Sequence, residues 1–244
     1  MTNVAGTRIK GNLAYFDHGA HRKRLIDAIG PDVVKVDLDF VGNVHHNSGE
    51  MDLNWTVTRV EGGAGESTIA VVDGVGGIAR ITTDAAENDG INAQLIGEAF
   101  ELTGDQVLYF GAFGCTINDV TQSDFFLGLA ITDTDILGGV TDRIGFQSID
   151  GETSLKCMLE KDSTETLSAA LATLVDATAF DLEFFWDGRD STLEFFVNGV
   201  SAGTLALTNL PNDEALRLTW QFLTGETAAQ TMDVDRIRVI QIGR

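Results

Sequence analysis

Residues 180–199 read FDLEFFWDGRDSTLEFFVNG, two apolar runs that are each followed by a polar turn. The runs Phe180–Trp186 and Thr192–Val197 are rich in aromatic residues, which pack well on the pleated surface of a β-sheet. The turns contain Asp187-Gly188 and Asn198-Gly199, dipeptides that tight hairpins favour because those turns need positive φ angles. This stretch predicts antiparallel strands joined by short turns.

The same pattern continues over most of the chain. Val34–Val41 reads VKVDLDFV, in which apolar and charged residues alternate with the period of two that is typical of a half-buried strand. Many short strands with Gly-containing turns and little helix predict an all-β, two-sheet antiparallel sandwich over residues 34–244. The other predicted strands are Trp55–Val60, Thr68–Val72, Ile78–Thr82, Ile91–Ile96, Val107–Ile117, Phe125–Thr132, Arg143–Ile149, Thr153–Lys161, Leu167–Leu174, Gly203–Leu207, Leu216–Leu223 and Met232–Ile242.

The composition limits the classes of partner. The 244 residues include 37 acidic and 16 basic ones, for a formal net charge of -21. A surface this acidic repels phosphate backbones, so we do not expect the body of the protein to bind nucleic acid. No stretch approaches the roughly eighteen apolar residues that a membrane helix needs, and no apolar segment typical of a signal peptide opens the chain. We therefore expect no membrane partner and production in a cytoplasm.

The charge is divided unevenly along the chain. Residues 1–24 carry five basic residues against one acid, a net charge of +4, so the remainder carries −25. We predict a basic N-terminal arm over residues 1–33, extended and with a short helix over residues 20–30 that ends before Pro31. A basic arm on an acidic body indicates a separate partner for each part. We predict that the arm docks on an acidic protein lattice through Arg8, Lys10, Arg22, Lys23 and Arg24.

The last third of the chain resembles the closing strands of concanavalin A-like lectin and glucanase jelly rolls. The resemblance extends over roughly residues 34–244 and implies a jelly-roll sandwich. Residues 121–152, TQSDFFLGLAITDTDILGGVTDRIGFQSIDGE, also resemble a segment of tailed-phage virion proteins, which use this fold in head decoration or fibres. The resemblance to the jelly rolls rests on Phe196-Val197-Asn198-Gly199, Gly203-Thr204, Leu210-Pro211 and the final strand with Val234, Asp235, Ile237 and Val239.

The resemblance to glucanases raises the question of paired catalytic carboxylates. A glucanase of this fold is expected to show an E-x-D-x-x-E or E-x-D-x-E strand, which places a nucleophile and an acid across the scissile bond. The nearest acidic pairs are Asp37/Asp39, Asp181/Glu183 and Asp233/Asp235, and each lacks a third member. Because solvated strand faces give the same pattern, hydrolysis is not expected, and the chain is predicted not to be an enzyme.

Sites for a metal ion or a stacked sugar are weakly indicated. Asp133 and Asp135 loosely match the start of a calcium loop, but the further oxygen ligands of such a loop are missing. We therefore expect neither a metal nor another cofactor. Three tryptophans could stack on a glycan, but they lie in predicted strands and are expected in the core: Trp55, Trp186 and Trp220.

Two adjacent phenylalanine pairs, Phe184-Phe185 and Phe195-Phe196, bear on assembly. Neighbouring residues of a strand point to opposite faces, so one member of each pair lies on the second face. That face is covered by another sheet or subunit or forms an exposed apolar patch, and a fully buried central strand explains the pairs equally well. We predict an oligomer interface at these four residues, and the resemblance to virion proteins implies a homotrimer.

These features together predict a structural protein of a phage virion, assembled in the host cytoplasm and located on the capsid surface. The arm and intersubunit contacts would dock it on the major capsid protein, and each added subunit would stabilise the shell. The alternative is a lectin-like module that binds carbohydrate on a virion fibre or surface. A glycoside hydrolase ranks last.

Overall fold

The structure is a computed structural model that describes residues 7–10, 13–16, 25–40, 54–61 and 65–243. Of the five basic residues predicted to dock the arm, Arg8 and Lys10 belong to the first strand. The other three, Arg22, Lys23 and Arg24, lie outside the described residues.

Within these ranges the chain forms twenty strands and one α-helix, α1 (Ile136–Gly139). Two short 3-10 turns lie at Val120–Gln122 and Leu207–Asn209. The strands are β1 (Thr7–Lys10), β2 (Leu13–Phe16), β3 (Leu25–Ala28), β4 (Val33–Leu38), β5 (Trp55–Val60), β6 (Thr68–Val72), β7 (Ile78–Thr82), β8 (Gly90–Leu95), β9 (Val107–Ile117), β10 (Ser123–Ala130), β11 (Arg143–Ser148), β12 (Ser154–Lys161), β13 (Thr164–Leu167), β14 (Ala172–Thr173), β15 (Phe180–Asp187), β16 (Thr192–Val197), β17 (Val200–Gly203), β18 (Arg217–Thr224), β19 (Thr231–Val234) and β20 (Arg236–Ile242).

Two antiparallel sheets pack face to face. Among the described strands, eight form the first sheet in the order β13-β12-β11-β10-β18-β8-β5, with β14 paired to β12. Nine form the second sheet in the order β17-β16-β15-β9-β19-β7-β6, with β20 paired to both β9 and β4. The prediction of an all-β, two-sheet antiparallel sandwich is confirmed.

The core between the sheets is built from their inward side chains. Trp220, Phe146 and Phe222 of the first sheet meet Phe110 and Phe184 of the second, and all five are fully buried. The rings of Phe110 and Phe184 stack with their centroids 5.0 Å apart. Burying one such side chain contributes about 1.5–3 kcal/mol, so this row of rings dominates the packing of the two sheets.

The predicted core position of the tryptophans is confirmed. Trp220 and Trp186 are buried, and the half-buried Trp55 packs against the same core. The indole N–H of Trp186 donates to Thr103 O at 3.2 Å, which satisfies its polar atom inside the protein. These rings are therefore not platforms on which a sugar could stack.

The phenylalanine pairs divide between two clusters, as the alternation predicts. Phe184 and Phe195 lie in the main core, whereas Phe185 and Phe196 lie on the outward face of the second sheet. Phe185 is 6% exposed and Phe196 is 1% exposed within the single chain. Both side chains are therefore covered within the described chain, and the oligomer interface at these four residues stays a prediction.

A second apolar cluster covers the outward face at these residues. This back cluster consists of Ala28, Val107, Tyr109, Phe185, Phe196 and Ile240. Strand β3, which ends at Ala28, contacts β20, and β1, β2 and β3 pair into a small antiparallel sheet. Of the described N-terminal strands, β3 thus lies against β20 of the second sheet.

The predicted helix at residues 20–30 is wrong over Leu25–Ala28, which form a strand. The local sequence is compatible with a helix, but Leu13 pairs with Ala28 and Ala14 with Asp27 across the small sheet. Intrinsic helix propensity is weak, and tertiary contacts such as these override it.

Most strand predictions match, and the exceptions have local causes. Leu167–Leu174 is not one strand, because β13 and β14 pair with different parts of β12. Met232–Ile242 divides at Asp235, whose N–H donates to Phe113 O at 3.1 Å. The predicted strand Gly203–Leu207 is wrong beyond Gly203, because the strand in this region is β17, Val200–Gly203, which starts directly after the Asn198-Gly199 turn.

Candidate functional site

The outward face of the first sheet is crossed by its own connecting loop. This closing segment, residues 131–142, joins β10 to β11 and contains α1. Beneath it Gly128 and Gly145 lie directly opposite each other, and a Cβ on Gly128 would lie 2.2 Å from Ile144 O. The two glycines allow the backbones of β10 and β11 to approach closely. Ile136 and Val140 of the segment pack in an apolar cluster with Phe126, Ala130 and Met158.

Amide side chains of the sheet hold the segment by its backbone. Asn92 Nδ2 donates to Asp133 O at 2.9 Å, and Gln94 Nε2 donates to Ile131 O at 2.9 Å. Gln221 Oε1 accepts from Leu137 N at 2.9 Å. Polar groups that would otherwise be open to a ligand are thus occupied by the chain itself.

The two weak metal candidates belong to this segment. Asp133 Oδ1 accepts from Asp135 N at 3.0 Å, and Asp135 Oδ1 accepts from Gly138 N at 3.1 Å and from Gln221 Nε2 at 2.7 Å. Asp135 is thereby the N-cap of α1, where its carboxylate satisfies a free backbone N–H. Within the ranges that the structure describes, no group of three or more His, Cys, Asp or Glu residues is placed to hold a metal ion.

The acidic pairs noted in the sequence are engaged in the second sheet. Asp37 accepts from Arg236 Nε at 2.8 Å and lies 3.0 Å from Arg238 Nη2. Burial alone would raise the pKa of Asp37, but the hydrogen bond from Arg236 and the charges of both arginines outweigh burial and lower it.

In each of the other two pairs, one carboxylate is engaged by a neighbouring side chain: Asp233 in one pair and Glu183 in the other. Asp233 forms a two-pronged ion pair with Arg80 at 2.6 and 2.7 Å. Glu183 is fully buried and accepts from Tyr109 Oη at 2.6 Å. The interpretation of these pairs as solvated strand faces is therefore wrong for Glu183, whose strand face is covered by the back cluster.

Asp124 is a carboxyl group that the sequence did not single out. It lies on the outward face at the start of β10 and accepts from Asp150 N at 2.8 Å. Burial raises its pKa to about 6, the Asp150 N–H hydrogen bond opposes this, and the charge of Asp150 adds to it. The signal in the sequence is a single acid in the otherwise apolar run SDFFLGLA.

A cavity of about 400 Å³ opens at one end of the sandwich, lined by Val34, Ala99, Glu101, Gln106 and Gln241. Gln106 and Gln241 are buried, whereas the Glu101 side chain is exposed. Gln241 Oε1 accepts from Glu101 N at 2.8 Å, and Gln106 Nε2 donates to Glu101 Oε2 at 3.4 Å. These bonds position a carboxylate and two amides beside Val34 and Ala99 in the cavity lining.

This arrangement suits a small polyhydroxylated ligand. Its volume lies within the range of about 300–1,000 Å³ that ligand sites occupy. Carboxylate and amide groups offer acceptors and donors that match hydroxyl groups. The lining residues come from β4, from the β8–β9 connection and from β20, so no single local motif brings them together.

No helix of the described residues is long and apolar enough to cross a membrane. The sequence matches no family model and no curated protein.

The structure is similar to solved structures that include glucanases and carbohydrate recognition domains. An endo-1,3-β-glucanase from Streptomyces sioyaensis has a TM-score of 0.62 at 15% identity, covering 89% of this chain and 99% of that chain. A protein of unknown function from Shewanella oneidensis MR-1 has a TM-score of 0.60 at 14% identity, covering 89% and 90%. The carbohydrate recognition domain of Emp47p has a TM-score of 0.55 at 11% identity, covering 81% and 91%.

These likenesses contradict one prediction and confirm another. The prediction that the chain is not an enzyme is wrong by this comparison, because several similar structures are endo-glucanases. The missing acidic triplet is therefore not a sufficient reason to exclude catalysis. The fold occurs in carbohydrate recognition domains as well. The chain has the concanavalin A-like jelly-roll fold that its closing strands resemble.

Proposed function

We propose that this protein binds carbohydrate and that the end cavity takes one sugar unit. The observation that carries the proposal is the polar wall of Glu101, Gln106 and Gln241 in a cavity of about 400 Å³. The backbone N–H of Glu101 holds Gln241, and the Glu101 carboxylate accepts from Gln106, before any ligand arrives, so little ordering entropy opposes binding.

The chemistry of the wall favours hydroxyl groups over charged ligands. The carboxylate of Glu101 repels an anionic group. The buried amides of the two glutamines can both donate and accept hydrogen bonds. Val34 and Ala99 supply an apolar surface for the C–H face of a sugar ring. The glucanases and carbohydrate recognition domains of this fold support the same class of ligand.

The test is titration calorimetry with 1,3-β-linked and mixed-linkage gluco-oligosaccharides, after a glycan array to widen the choice. We expect saturable binding that Glu101→Ala weakens at least about tenfold, since a hydrogen bond to a charged group contributes about 1.5–3 kcal/mol. Asp105→Ala, an exposed acid in the same connection, is the matched control and should bind normally.

A reducing-sugar assay on the same oligosaccharides separates binding from turnover. Release of new reducing ends would assign a hydrolase, and binding without release would assign a lectin-like module. If no glycan binds, or if Glu101→Ala binds as well as the unchanged protein, the end cavity is not a sugar site.

A second candidate is a virion structural protein that docks on a major capsid protein. We propose it because residues 1–24 carry a net charge of +4 against −25 on the rest of the chain. Attraction between a basic region and an acidic lattice supports docking through Arg8, Lys10, Arg22, Lys23 and Arg24. Co-purification with particles at a fixed ratio to the capsid protein would support it, and absence from purified particles would contradict it.

A further inference from the structure

The end cavity lies between the two sheets and not across the outward face of either. Val34 of β4 and Gln241 of β20 are directly opposite each other, so their side chains share one face of the second sheet. That face is the inner one, because Gln241 is also directly opposite Leu108, which is fully buried in the core. One side of the cavity therefore belongs to the inner face of the second sheet.

The other side of the cavity belongs to the connection between β8 and β9, which crosses from the first sheet to the second. Phe100 in this connection forms a bridge with Leu216, directly before β18, with N–O distances of 3.0 and 2.7 Å. The next residue, Glu101, donates its N–H to Gln241 of the second sheet at 2.8 Å. The connection therefore spans the gap between the sheets at this end of the sandwich.

Buried side chains of the core lie behind both sides. Phe100, which stands between two lining residues, and Leu108, which is opposite Gln241, are fully buried. The indole N–H of Trp186, also buried, donates to Thr103 O of the connection. Since protein interiors are packed as densely as organic crystals, a ligand in the cavity cannot continue inward. It can extend only through the mouth of the cavity.

The polar groups of the cavity keep bonding capacity for a ligand. Among the described residues, the Glu101 carboxylate accepts only from Gln106 Nε2, at 3.4 Å, whereas an ionised carboxylate can accept about four hydrogen bonds. A terminal sugar unit carries one glycosidic bond and an internal unit carries at least two. The terminal unit therefore keeps one more hydroxyl group to donate to this carboxylate.

We propose that the end cavity recognises the terminal unit of a glycan and rejects units within a chain. This inference rests on the proposed function, which makes the cavity a sugar site. A unit within a chain needs room for a neighbour on each of two sides, but the core and the β8–β9 connection leave only the mouth. A terminal unit fits, because its single glycosidic bond leads the rest of the glycan back to solvent. The number of chain ends, and not the mass of polysaccharide, then determines how much protein binds.

The test is titration calorimetry of the full chain with linear 1,3-β-linked gluco-oligosaccharides of about 3–20 units and with a cyclic β-linked gluco-oligosaccharide, which has no chain ends. We expect one protein bound per linear chain, an affinity per chain that stays within about threefold over the series, and no saturable binding of the cyclic sugar. A site for internal units would instead bind longer chains more tightly in proportion to their length, since each chain would offer more positions.

Variants at two exposed alanines locate the binding. Ala99→Trp narrows the cavity and should weaken binding of the shortest linear sugar at least about tenfold. Ala85→Trp is the matched control and should bind within about twofold of the unchanged protein. It lies near Asn88, whose N–H donates to Thr224 O at the far end of β18, about 26 Å along the strand from the cavity. Thermal unfolding shows whether both variants are folded, and the comparison of sugars needs neither.

Three results would overturn the inference and leave carbohydrate binding in place: a cyclic sugar bound as tightly as a linear one, several proteins bound per linear chain, or an affinity that rises in proportion to chain length. Normal binding by a folded Ala99→Trp protein would also overturn it. The proposed function fails in a different way, because then neither the linear nor the cyclic sugars bind.

Discussion

Replacing Asp124 by asparagine should stabilise the protein in a pH-dependent way. Asp124 is 8% exposed, and its Oδ1 accepts from Asp150 N at 2.8 Å. Burial raises its pKa from the ordinary 3.8 to about 6, with the hydrogen bond from Asp150 N–H opposing the shift and the charge of Asp150 adding to it. An asparagine keeps an oxygen for that hydrogen bond and never carries the charge that burial disfavours.

The size of the effect follows from the shift in pKa. The folded state binds this proton more tightly than the unfolded state, so the favourable contribution is complete below about pH 3.8 and is lost as the pH rises through about 6. One pKa unit corresponds to about 1.4 kcal/mol, and the shift of about two units therefore costs about 3 kcal/mol once Asp124 is ionised. Asp124→Asn should gain less than about 1 kcal/mol at pH 4 and about 3 kcal/mol at pH 8.

Urea unfolding of the unchanged protein and the variant between pH 4 and pH 8 measures this difference directly. Taking the difference at each pH cancels the other titrating groups, because both proteins share them. Asp190→Asn, at an exposed acid, is the control and should show little change with pH. A difference that stays flat from pH 4 to pH 8, or a less stable Asp124→Asn protein at pH 8, would refute the reasoning.

Three further changes test the packing. Gly128→Ala places a Cβ 2.2 Å from Ile144 O and should lower the free energy of unfolding, measured with urea, by about 3 kcal/mol or more. Gly104→Ala is the control, because its Cβ would meet nothing closer than 4.0 Å, and it should change the free energy of unfolding little. Arg143→Met removes the 2.7 Å ion pair to the buried Glu160 and should cost about 3 kcal/mol in the same assay at neutral pH. Deleting residues 1–30 removes the cover of the back cluster, so the truncated chain should bind the dye ANS and melt at a lower temperature; unchanged dye binding would show that the sandwich does not need this region.

The strands could be predicted because their signals are local. Alternation in Val34–Val41 and the turn dipeptides after Trp186 and Val197 specify both the strands and the direction of the chain. The same local signals misled the prediction for Leu25–Ala28, because the contacts that decide it lie in β2 and β20. The alternation also predicted two faces for the phenylalanine pairs, but only the structure shows what covers the second face.

The candidate site could not be predicted in this way. Glu101, Gln106 and Gln241 carry no motif, and the long-range hydrogen bond from Glu101 N to Gln241 joins residues 140 positions apart. The raised pKa of Asp124 depends on burial, which no spacing reveals. The acidic pairs failed as a guide because partners such as Arg236 for Asp37 lie far away in the sequence.

The closing segment determines where a ligand can bind without rearrangement. The outward positions of β11 are Arg143, Gly145 and Gln147, and Arg143 Nη1 donates to Ile136 O at 2.8 Å to help hold the segment down. Together with the bonds from the sheet's amides, six hydrogen bonds to side chains of the sheet fasten it. At about 1 kcal/mol each, with the burial of Ile136 and Val140 in addition, lifting the segment costs more than weak sugar binding returns. The end cavity needs no such opening, because its polar wall is already assembled at the surface, and for this reason we place the sugar there and not on the sheet.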